Sequence, residues 1–314
     1  MLRRTSLAAG LIRRPFLSKT QQVAPFWSSS SSAADLPNLD GKFCWVVGGA
    51  GIIGTGIVRG LLRAGATVIC NSRYKQRLDA LTAELGHPEK LVAYQGSMLA
   101  DGAEETVANV MELTAGQLDH VVTHSAVRWW GRHGGCDETG TIQAMDDGAR
   151  GGKLLDMSIE EFSQQAVALP QMQFAAARLL VPRLQQVEGA SYTFVTGGAG
   201  ESARSAMGQI NAQAVWGLAA AMRSEAPTLK VAEVRVGLKF NRSVEERREE
   251  PRDTPLSHDI GTICAGLAAA PMDENWKNAL HNLDSNAEVA LTKSAFPALC
   301  KPYSVFFTPS DNFM

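Results

Sequence analysis

The feature that most constrains the fold is the stretch from Cys44 to Arg73, which has the pattern strand, glycine-rich turn, helix, strand. Cys44–Val47 and Thr67–Cys70 are short apolar runs typical of buried strands. The turn Gly48–Gly54 and a helix predicted over Thr55–Ala64 separate them. Strands joined through a helix run parallel by a right-handed crossover, so this stretch predicts the first unit of a doubly wound sheet.

The turn has the chemistry of a phosphate-binding loop. Gly48, Gly51 and Gly54 are spaced as GxxGxxG. Glycine tolerates the backbone angles of a tight turn, and its missing side chain lets the backbone approach a pyrophosphate. The following helix directs unpaired N–H groups and a positive dipole end at the anion. Because a strand precedes the turn and an amphipathic helix follows it, we expect a dinucleotide site, with a purely structural turn as the alternative.

The end of the second strand bears on which dinucleotide is bound. NAD-binding domains commonly place a carboxylate about 20 residues beyond the glycines, where it binds the ribose 2′-OH. Here Ser72 takes that place and Arg73 follows. Both side chains favour a 2′-phosphate, so we expect NADP in preference to NAD, the alternative being an Arg73 that only faces solvent. The residues expected to bind the cofactor are Gly48, Gly51, Ile53, Gly54, Ser72 and Arg73.

The alternation of strands and helices continues along the chain. Further strands are predicted at Leu91–Tyr94, His120–Thr123, Tyr192–Thr196 and Val231–Val236. Further helices are predicted at Lys75–Leu85, Thr106–Thr114, Ile159–Gln186 (broken by Pro170 and Pro182) and Ala212–Ser224. The predicted fold class is α/β, a doubly wound parallel sheet (Rossmann fold) in a single domain. We expect a transit peptide over 1–34, the nucleotide-binding domain over 35–271 and a C-terminal extension over 272–314.

Residues 1–34 have the composition of a targeting segment. They are rich in arginine and serine, and no acidic residue precedes Asp35. This predicts import into the mitochondrial matrix, with a plastid or an untargeted basic tail as alternatives. The net charge of −2 gives no reason to expect nucleic acid as a partner, and no apolar run is long enough for a membrane span. The five scattered cysteines favour free thiols, and the grouping of His124, His133 and Cys136 is too weak to predict a metal.

From Leu39 to Gly237 the chain resembles the short-chain dehydrogenase/reductase family. The resemblance rests on Leu39-Asp40-Gly41-Lys42 before the first strand, on the glycine turn and on Arg73-x-x-x-Arg77-Leu78. It implies an oxidoreductase that uses NAD(P) on a small carbonyl or alcohol. It also implies a homo-oligomer, since family members often pair through the fourth and fifth helices.

The family's catalytic positions are changed in this chain. The helix motif Ala214–Leu218 places Gly208 where the family has its catalytic Tyr and Ala212 where it has the Lys. Thr196 stands at the position of the catalytic Ser, and either Ala168 or Leu169 at that of the helical Asn. Thr123-His124-Ser125-Ala126 replaces the family's Asn-Asn-Ala-Gly. Neither Gly208 nor Ala212 has a titratable side chain, so the usual proton transfer cannot run through them.

Other residues are weaker candidates for the site. His124, at the end of the fourth strand, is the leading proton donor, and Thr196 is expected to hydrogen-bond a substrate oxygen. Trp129 and Trp130 either line a substrate pocket or pack beneath a Gly-rich surface insertion over Thr139–Lys153. Residues that stay open as further ligand contacts are Glu201, Asn211 and Gln213.

Three functional hypotheses follow from the sequence. The first is an atypical NADP-dependent oxidoreductase acting on an unidentified small substrate. The second is a catalytically silent nucleotide-binding scaffold or cofactor-sensing subunit. A non-redox enzyme using the same cleft is a third reading that no residue favours.

Overall fold

The computed structural model describes residues 38–99, 101–124, 154–197, 206–237, 257–271 and 280–283, together with residues 288 and 290. Seven parallel strands form one sheet in the order β3-β2-β1-β4-β5-β6-β7. They are β1 (Phe43–Val47), β2 (Thr67–Ser72), β3 (Leu91–Gln95), β4 (His120–Thr123), β5 (Ser191–Gly197), β6 (Lys230–Val236) and β7 (Leu280–Leu283). The predicted doubly wound parallel sheet is confirmed.

Helices cover both faces of the sheet. They are α1 (Ile52–Arg63), α2 (Lys75–Glu84), α3 (Ala103–Leu113), α4 (Ile159–Leu184), α5 (Ala206–Glu225) and α6 (Ser257–Ala269). One apolar core joins the sheet to α1, α2 and α6, and a second joins it to α3, α4 and α5. None of the helices in the described part combines the length and apolar character that a bilayer crossing requires.

The first and sixth helices pack at backbone distance. A Cβ added at Gly56 or Gly60 of α1 would collide with backbone atoms of Ser257 or Gly261 in α6. A Cβ at Gly261 would in turn collide with the Gly56 carbonyl oxygen. The position of α1, and so of the turn that precedes it, is therefore fixed by contacts that only glycine permits.

The strand order reverses between β1 and β4, which are far apart along the chain but pair with each other in the sheet. Val47, the last residue of β1, is aligned with Asn71 of β2 on one side and with Thr123 of β4 on the other. The residues that follow these strands therefore meet at the carboxyl edge of the sheet. Ligands of open α/β sheets bind in the crevice at such a point.

Two features of the fold differ from the sequence predictions. Helix α4 was expected to break at Pro170 and Pro182, yet it is one continuous helix that contains both. Its buried side chains, which include Met172, Ala176 and Leu180, pack on the sheet and offset the backbone hydrogen bonds that proline removes. Helix α6 and strand β7 were not predicted, and β7 pairs with β6 from within the predicted C-terminal extension.

Candidate functional site

Two of the three spaced glycines after β1 are required by the protein's own geometry, and the third is not. Gly48 has φ of 80°, a left-handed conformation that side chains rarely adopt. A Cβ at Gly54 would lie 2.5 Å from the Gly49 carbonyl oxygen, so α1 can approach the turn only without one. A Cβ at Gly51, by contrast, would meet no atom within 4 Å. Nothing in the described protein accounts for glycine at position 51, which leaves the space above it open for a ligand.

The N-terminus of α1 has no side chain that would neutralise its partial positive charge. Gly51 is the residue that precedes the helix, no side chain caps it, and the first turn contains no acidic residue. The first N–H groups of a helix have no partner within the helix, and the dipole concentrates positive charge there. Ile53, in this first turn, packs its side chain against the core and leaves its backbone to the turn. The arrangement is that of an anion cradle.

The end of β2 lies beside this cradle and carries no carboxylate. The Ser72 hydroxyl accepts a hydrogen bond of 3.2 Å from the Tyr74 backbone N–H. The backbone carbonyl of Arg73 accepts a hydrogen bond from Gln95, which fixes the main chain, while its side chain is exposed. Among the described residues Arg73 forms no ion pair, and its guanidinium lies over the Tyr74 ring, 5.4 Å from the centroid.

His124 follows β4 on the other side of the turn. Its backbone N–H donates to the Val47 carbonyl at 3.0 Å, which extends the pairing of β4 with β1. Its Nδ1 is buried and has no hydrogen-bond partner among the described residues. Burial lowers the pKa of His124 to about 4, and the Val195 backbone opposes that shift only in part. The ring is therefore neutral at pH 7, with no imidazolium proton to release.

Thr196, near the end of β5, has its hydroxyl engaged by a residue that sequence reasoning did not assign. The indole N–H of Trp216 in α5 donates to the Thr196 Oγ1 at 3.1 Å. The hydroxyl itself lies 3.3 Å from the Gly197 carbonyl oxygen, to which it donates. A substrate oxygen at Thr196 would have to compete with the second of these bonds.

The Trp216 ring also belongs to a larger charged group. The Arg235 guanidinium stacks on it at 4.0 Å from the ring centroid, and Arg235 is aligned with Thr196 across β5 and β6. Arg235 and Arg223 both donate to Glu233, whose carboxylate is fully buried. In the sequence this group could have been found from Glu233 in the middle of a strand rich in valine, with Arg235 two residues later on the same face.

The positions matched to the family's Tyr and Lys lie in α5, one helical turn apart. Gly208 is in its first turn, and Ala212 is buried against the core side of the helix. Asn211 is fully buried, whereas Gln213 is exposed. Leu169, matched to the family's helical Asn, packs against the core formed by α3, α4 and α5. The assignment of Gly208 and Ala212 to the Tyr and Lys positions stays a prediction.

Several residues named from the sequence fall outside the described part of the chain. They are the insertion Thr139–Lys153 and Ser125, Ala126, Trp129, Trp130, His133, Cys136 and Glu201. The cysteines that are described, Cys44, Cys70 and Cys264, are buried free thiols.

The fold is of the doubly wound α/β class, and the anion cradle lies at its carboxyl edge, where ligands of such sheets bind. No family model matches the chain. A curated short chain dehydrogenase/reductase from Macrophomina phaseolina is 37% identical over 75 residues, which are 24% of this chain and 40% of that protein. The chain therefore matches well under half the length of this curated relative.

Solved structures show the same fold at low identity. An alcohol dehydrogenase from Thermococcus sibiricus, complexed with 5-hydroxy-NADP, has a TM-score of 0.56 at 20% identity over 77% of this chain and 94% of its own. A 3-ketoacyl-(acyl-carrier-protein) reductase from Brucella melitensis, complexed with NADH, has 0.57 at 15% over 78% and 97%. A short chain oxidoreductase with an atypical catalytic center, from Pseudomonas aeruginosa, has 0.52 at 21% over 68% and 76%. The fold is that of the short-chain dehydrogenase/reductases, and the predicted resemblance to that family is confirmed.

Proposed function

We propose that this protein binds NADP(H) and acts as an atypical oxidoreductase on a small carbonyl or alcohol substrate. The observation that carries the proposal is the open space above Gly51, at the uncapped N-terminus of α1. The backbone N–H groups there would bind the pyrophosphate, and the edge of the sheet would place the two nucleosides on either side. Arg73 lies towards one end of that edge and His124 towards the other.

Ser72 and Arg73 support a preference for NADP over NAD. A guanidinium attracts the dianionic 2′-phosphate by charge and by paired hydrogen bonds, whereas NAD offers only a hydroxyl there. No acidic side chain stands at the end of β2 to repel that phosphate. Structures that share this fold hold both kinds of nucleotide, so the preference rests on the residues of this chain.

The chemistry at the other end of the edge would differ from that of the family. When bound, NADP(H) supplies or accepts a hydride, and the substrate oxygen must gain or lose a proton. Gly208 and Ala212 can do neither. Thr196 would hydrogen-bond the substrate oxygen while Trp216 donates to the same hydroxyl, which strengthens Thr196 as a donor. Neutral His124 has its single N–H engaged by the Val195 backbone, so it would act only by accepting a proton from an alcohol at its unpartnered Nδ1.

A second function is favoured by a specific observation. Neither candidate catalytic group is poised to react in this structure, since the Thr196 hydroxyl already has two hydrogen-bond partners and the partly buried His124 is neutral at pH 7. A protein that binds the nucleotide without turning it over would show these features. The alternative is therefore a catalytically silent scaffold or a cofactor-sensing subunit.

The deciding experiment is a titration of the chain from residue 35 onward with NADPH and with NADH, followed by nicotinamide fluorescence. We expect NADPH to bind at least about tenfold more tightly than NADH, because a charge-assisted hydrogen bond to the 2′-phosphate adds that much affinity. If neither nucleotide binds, both the oxidoreductase and the silent nucleotide-binding protein are refuted. If NADPH binds, a screen of carbonyl substrates with Thr196→Val and His124→Gln as controls separates the oxidoreductase from the silent protein.

Two further proposals rest on composition and on the family resemblance. We infer that residues 1–34 direct the protein into the mitochondrial matrix, because they are basic and lack acidic residues. Fusion of these residues to a fluorescent reporter tests this, and a diffuse signal would contradict it.

The homo-oligomer is proposed through α4 and α5, where Phe174 is an exposed aromatic. A monomeric mass in light scattering would rule it out.

A further inference from the structure

A cationic side chain stands next to Thr196 on the face of the sheet that α5 covers. Arg235 of β6 is aligned with Thr196 of β5, so the two side chains project from the same face as neighbours. The Arg235 guanidinium lies over the Trp216 ring at 4.0 Å from the centroid, and the indole N–H of Trp216 donates to the Thr196 hydroxyl. One aromatic ring therefore links the guanidinium to the hydroxyl that is expected to bind a substrate oxygen.

The group around Glu233 carries more positive than negative charge. Arg235 and Arg223 share the Glu233 carboxylate, which is fully buried, and among the described residues neither arginine forms another ion pair. A guanidinium stays protonated throughout the pH range in which proteins are folded. One arginine is enough to neutralise one carboxylate, so a single positive charge is left over beside Thr196. Only 18% of the Arg235 side chain is exposed, so this charge is screened less than one at the surface.

The Arg235 guanidinium is held in place and has one nitrogen to spare. Its Nε donates to Oε1 of Glu233 at 2.8 Å, and its Nη2 donates to Oε2 at 3.2 Å. The guanidinium is a planar fork, so Nη1 points away from the carboxylate that the other two nitrogens bind. In the described part of the chain Nη1 has no hydrogen-bond partner. A second oxyanion could therefore bind to Arg235 without displacing the first.

We propose that Arg235 is a specificity-determining residue that binds a carboxylate of the substrate, so that the substrate class is a keto acid or hydroxy acid. This inference rests on the proposed function and deepens it by naming the substrate class. A carboxylate fits better than a phosphate monoester, because one surplus positive charge matches one negative charge. Reduction of such a keto acid consumes NADPH and a proton and yields the hydroxy acid and NADP.

Two contacts would orient the substrate. Thr196 would hydrogen-bond the carbonyl oxygen while Arg235 binds the carboxylate, which leaves the carbonyl carbon only a narrow range of positions. A free arginine loses much rotamer freedom when it binds an anion. The buried carboxylate and the Trp216 ring already restrict Arg235 before the substrate arrives, so less freedom is lost on binding.

The test compares keto acids with their methyl esters, which keep the carbonyl and lack the charge. The probes are 2-oxobutanoate, 3-oxobutanoate and 4-oxopentanoate, which place the carboxylate at increasing distance from the carbonyl. Turnover is followed by the loss of NADPH absorbance, and binding to the protein saturated with NADP is measured by calorimetry. We expect at least one acid to bind or react at least about tenfold better than its ester. If no acid exceeds its ester, the inference is overturned while the proposed function stands.

Arg235→Gln removes the charge and keeps a polar side chain. It is expected to abolish the preference for the acid over its ester and to leave NADPH affinity within about twofold. The matched control is Arg223→Gln, which removes the other guanidinium from the same carboxylate at a position in α5 that is not aligned with Thr196. This control should keep the preference within about threefold. Urea denaturation of both variants compares their stability.

Three outcomes would contradict the inference. A preference for the acid that persists in Arg235→Gln shows that the carboxylate binds elsewhere. A preference that falls equally in both variants shows that the two arginines only neutralise Glu233. A wild-type protein that does not bind NADPH overturns the proposed function and this inference together. The comparison of acid with ester in the wild type needs no variant, so it decides the matter even if Arg235→Gln does not fold.

Discussion

At one end of the carboxyl edge, the glycine turn and α1 are held by backbone packed against backbone. Gly54 lies against Gly49, and Gly56 lies against α6. At the other end, Thr196 belongs to a chain of side chains bonded to one another through Trp216, Arg235 and Glu233. Among the described residues, the first region presents backbone to a ligand, and the Thr196 hydroxyl and Glu233 carboxylate of the second already have partners.

The difference shows why binding and catalysis can separate on one fold. A phosphate cradle is made of N–H groups that every residue carries, so it persists wherever glycine keeps the space open. Proton transfer needs a particular titratable side chain at a particular pKa, and one substitution removes it. A chain can therefore keep the full nucleotide site after the chemistry at the neighbouring strand ends has changed.

The largest expected effect comes from breaking the side-chain network. Glu233→Ala would leave Arg223 and Arg235 without the buried carboxylate that both contact, at a cost of about 3 kcal/mol in the free energy of unfolding. Urea denaturation measures this. Asp79→Ala, which breaks the exposed pair with Lys75, is the matched control and should cost under about 1 kcal/mol. A loss for Glu233→Ala as small as the control's would show that this region is not held by the network.

The next effect should fall on binding alone. Gly51→Asp gives α1 an N-terminal cap and places a carboxylate where the phosphates would lie. We expect unfolding free energy to stay equal or rise by a few tenths of a kcal/mol, while NADPH affinity falls about 100-fold. Gly51→Ser caps the helix without a charge and separates bulk from repulsion. Unchanged nucleotide affinity in Gly51→Asp would refute the assignment of the cradle to the N-terminus of α1.

The nucleotide region could be predicted from the sequence, because its signals are local. A strand, three spaced glycines and an amphipathic helix follow one another within thirty residues of Cys44, as predicted. The helix begins at Ile52 and not at Thr55, so Gly54 lies in its first turn. The absence of an acid at Ser72 is equally local. Such features need no knowledge of distant parts of the chain.

The features that the sequence did not reveal depend on distant contacts. Helix α6 is rich in small residues such as Gly261 and Gly266, a composition that disfavours an isolated helix, and it forms because α1 offers a matching glycine face. Helix α4 continues through Pro170 because packing outweighs propensity. Trp216 stands within a recognised helix motif, but only the fold places its N–H at Thr196.

A smaller effect concerns acid stability at the two edges of the sheet. Burial lowers the pKa of His124 to about 4, below its unfolded value of 6.5, so the unfolded chain binds more protons between these values. The contribution of His124 is complete above about pH 6.5 and is lost as the pH falls, by about 2 kcal/mol at pH 5. Urea midpoints at pH 7 and pH 5 should therefore differ less in His124→Gln than in the wild type.

His120, at the amino edge, provides the matched change. Burial lowers the pKa of His120 to about 3, and its Nδ1 lies 2.9 Å from the Ser191 hydroxyl. His120→Gln should also flatten the acid response, but it lies far from the crevice and should leave NADPH affinity unchanged. If His124→Gln has the same pH response as the wild type, then the imidazole is not buried and neutral, and its use as a proton donor regains support.

The smallest expected effect is also the one that bears most directly on catalysis. Trp216→Phe removes the N–H that donates to the Thr196 hydroxyl and keeps an aromatic ring under Arg235. One lost hydrogen bond should lower the unfolding free energy by about 1 kcal/mol. NADPH affinity should not change, because Trp216 lies on the Thr196 side of the edge. If the substrate screen yields turnover, Trp216→Phe should lower kcat and leave the KM for NADPH unaltered, because Thr196 would be a weaker donor. A variant with full turnover would show that Trp216 only packs, and that the two ends of the edge differ in stability but not in chemistry.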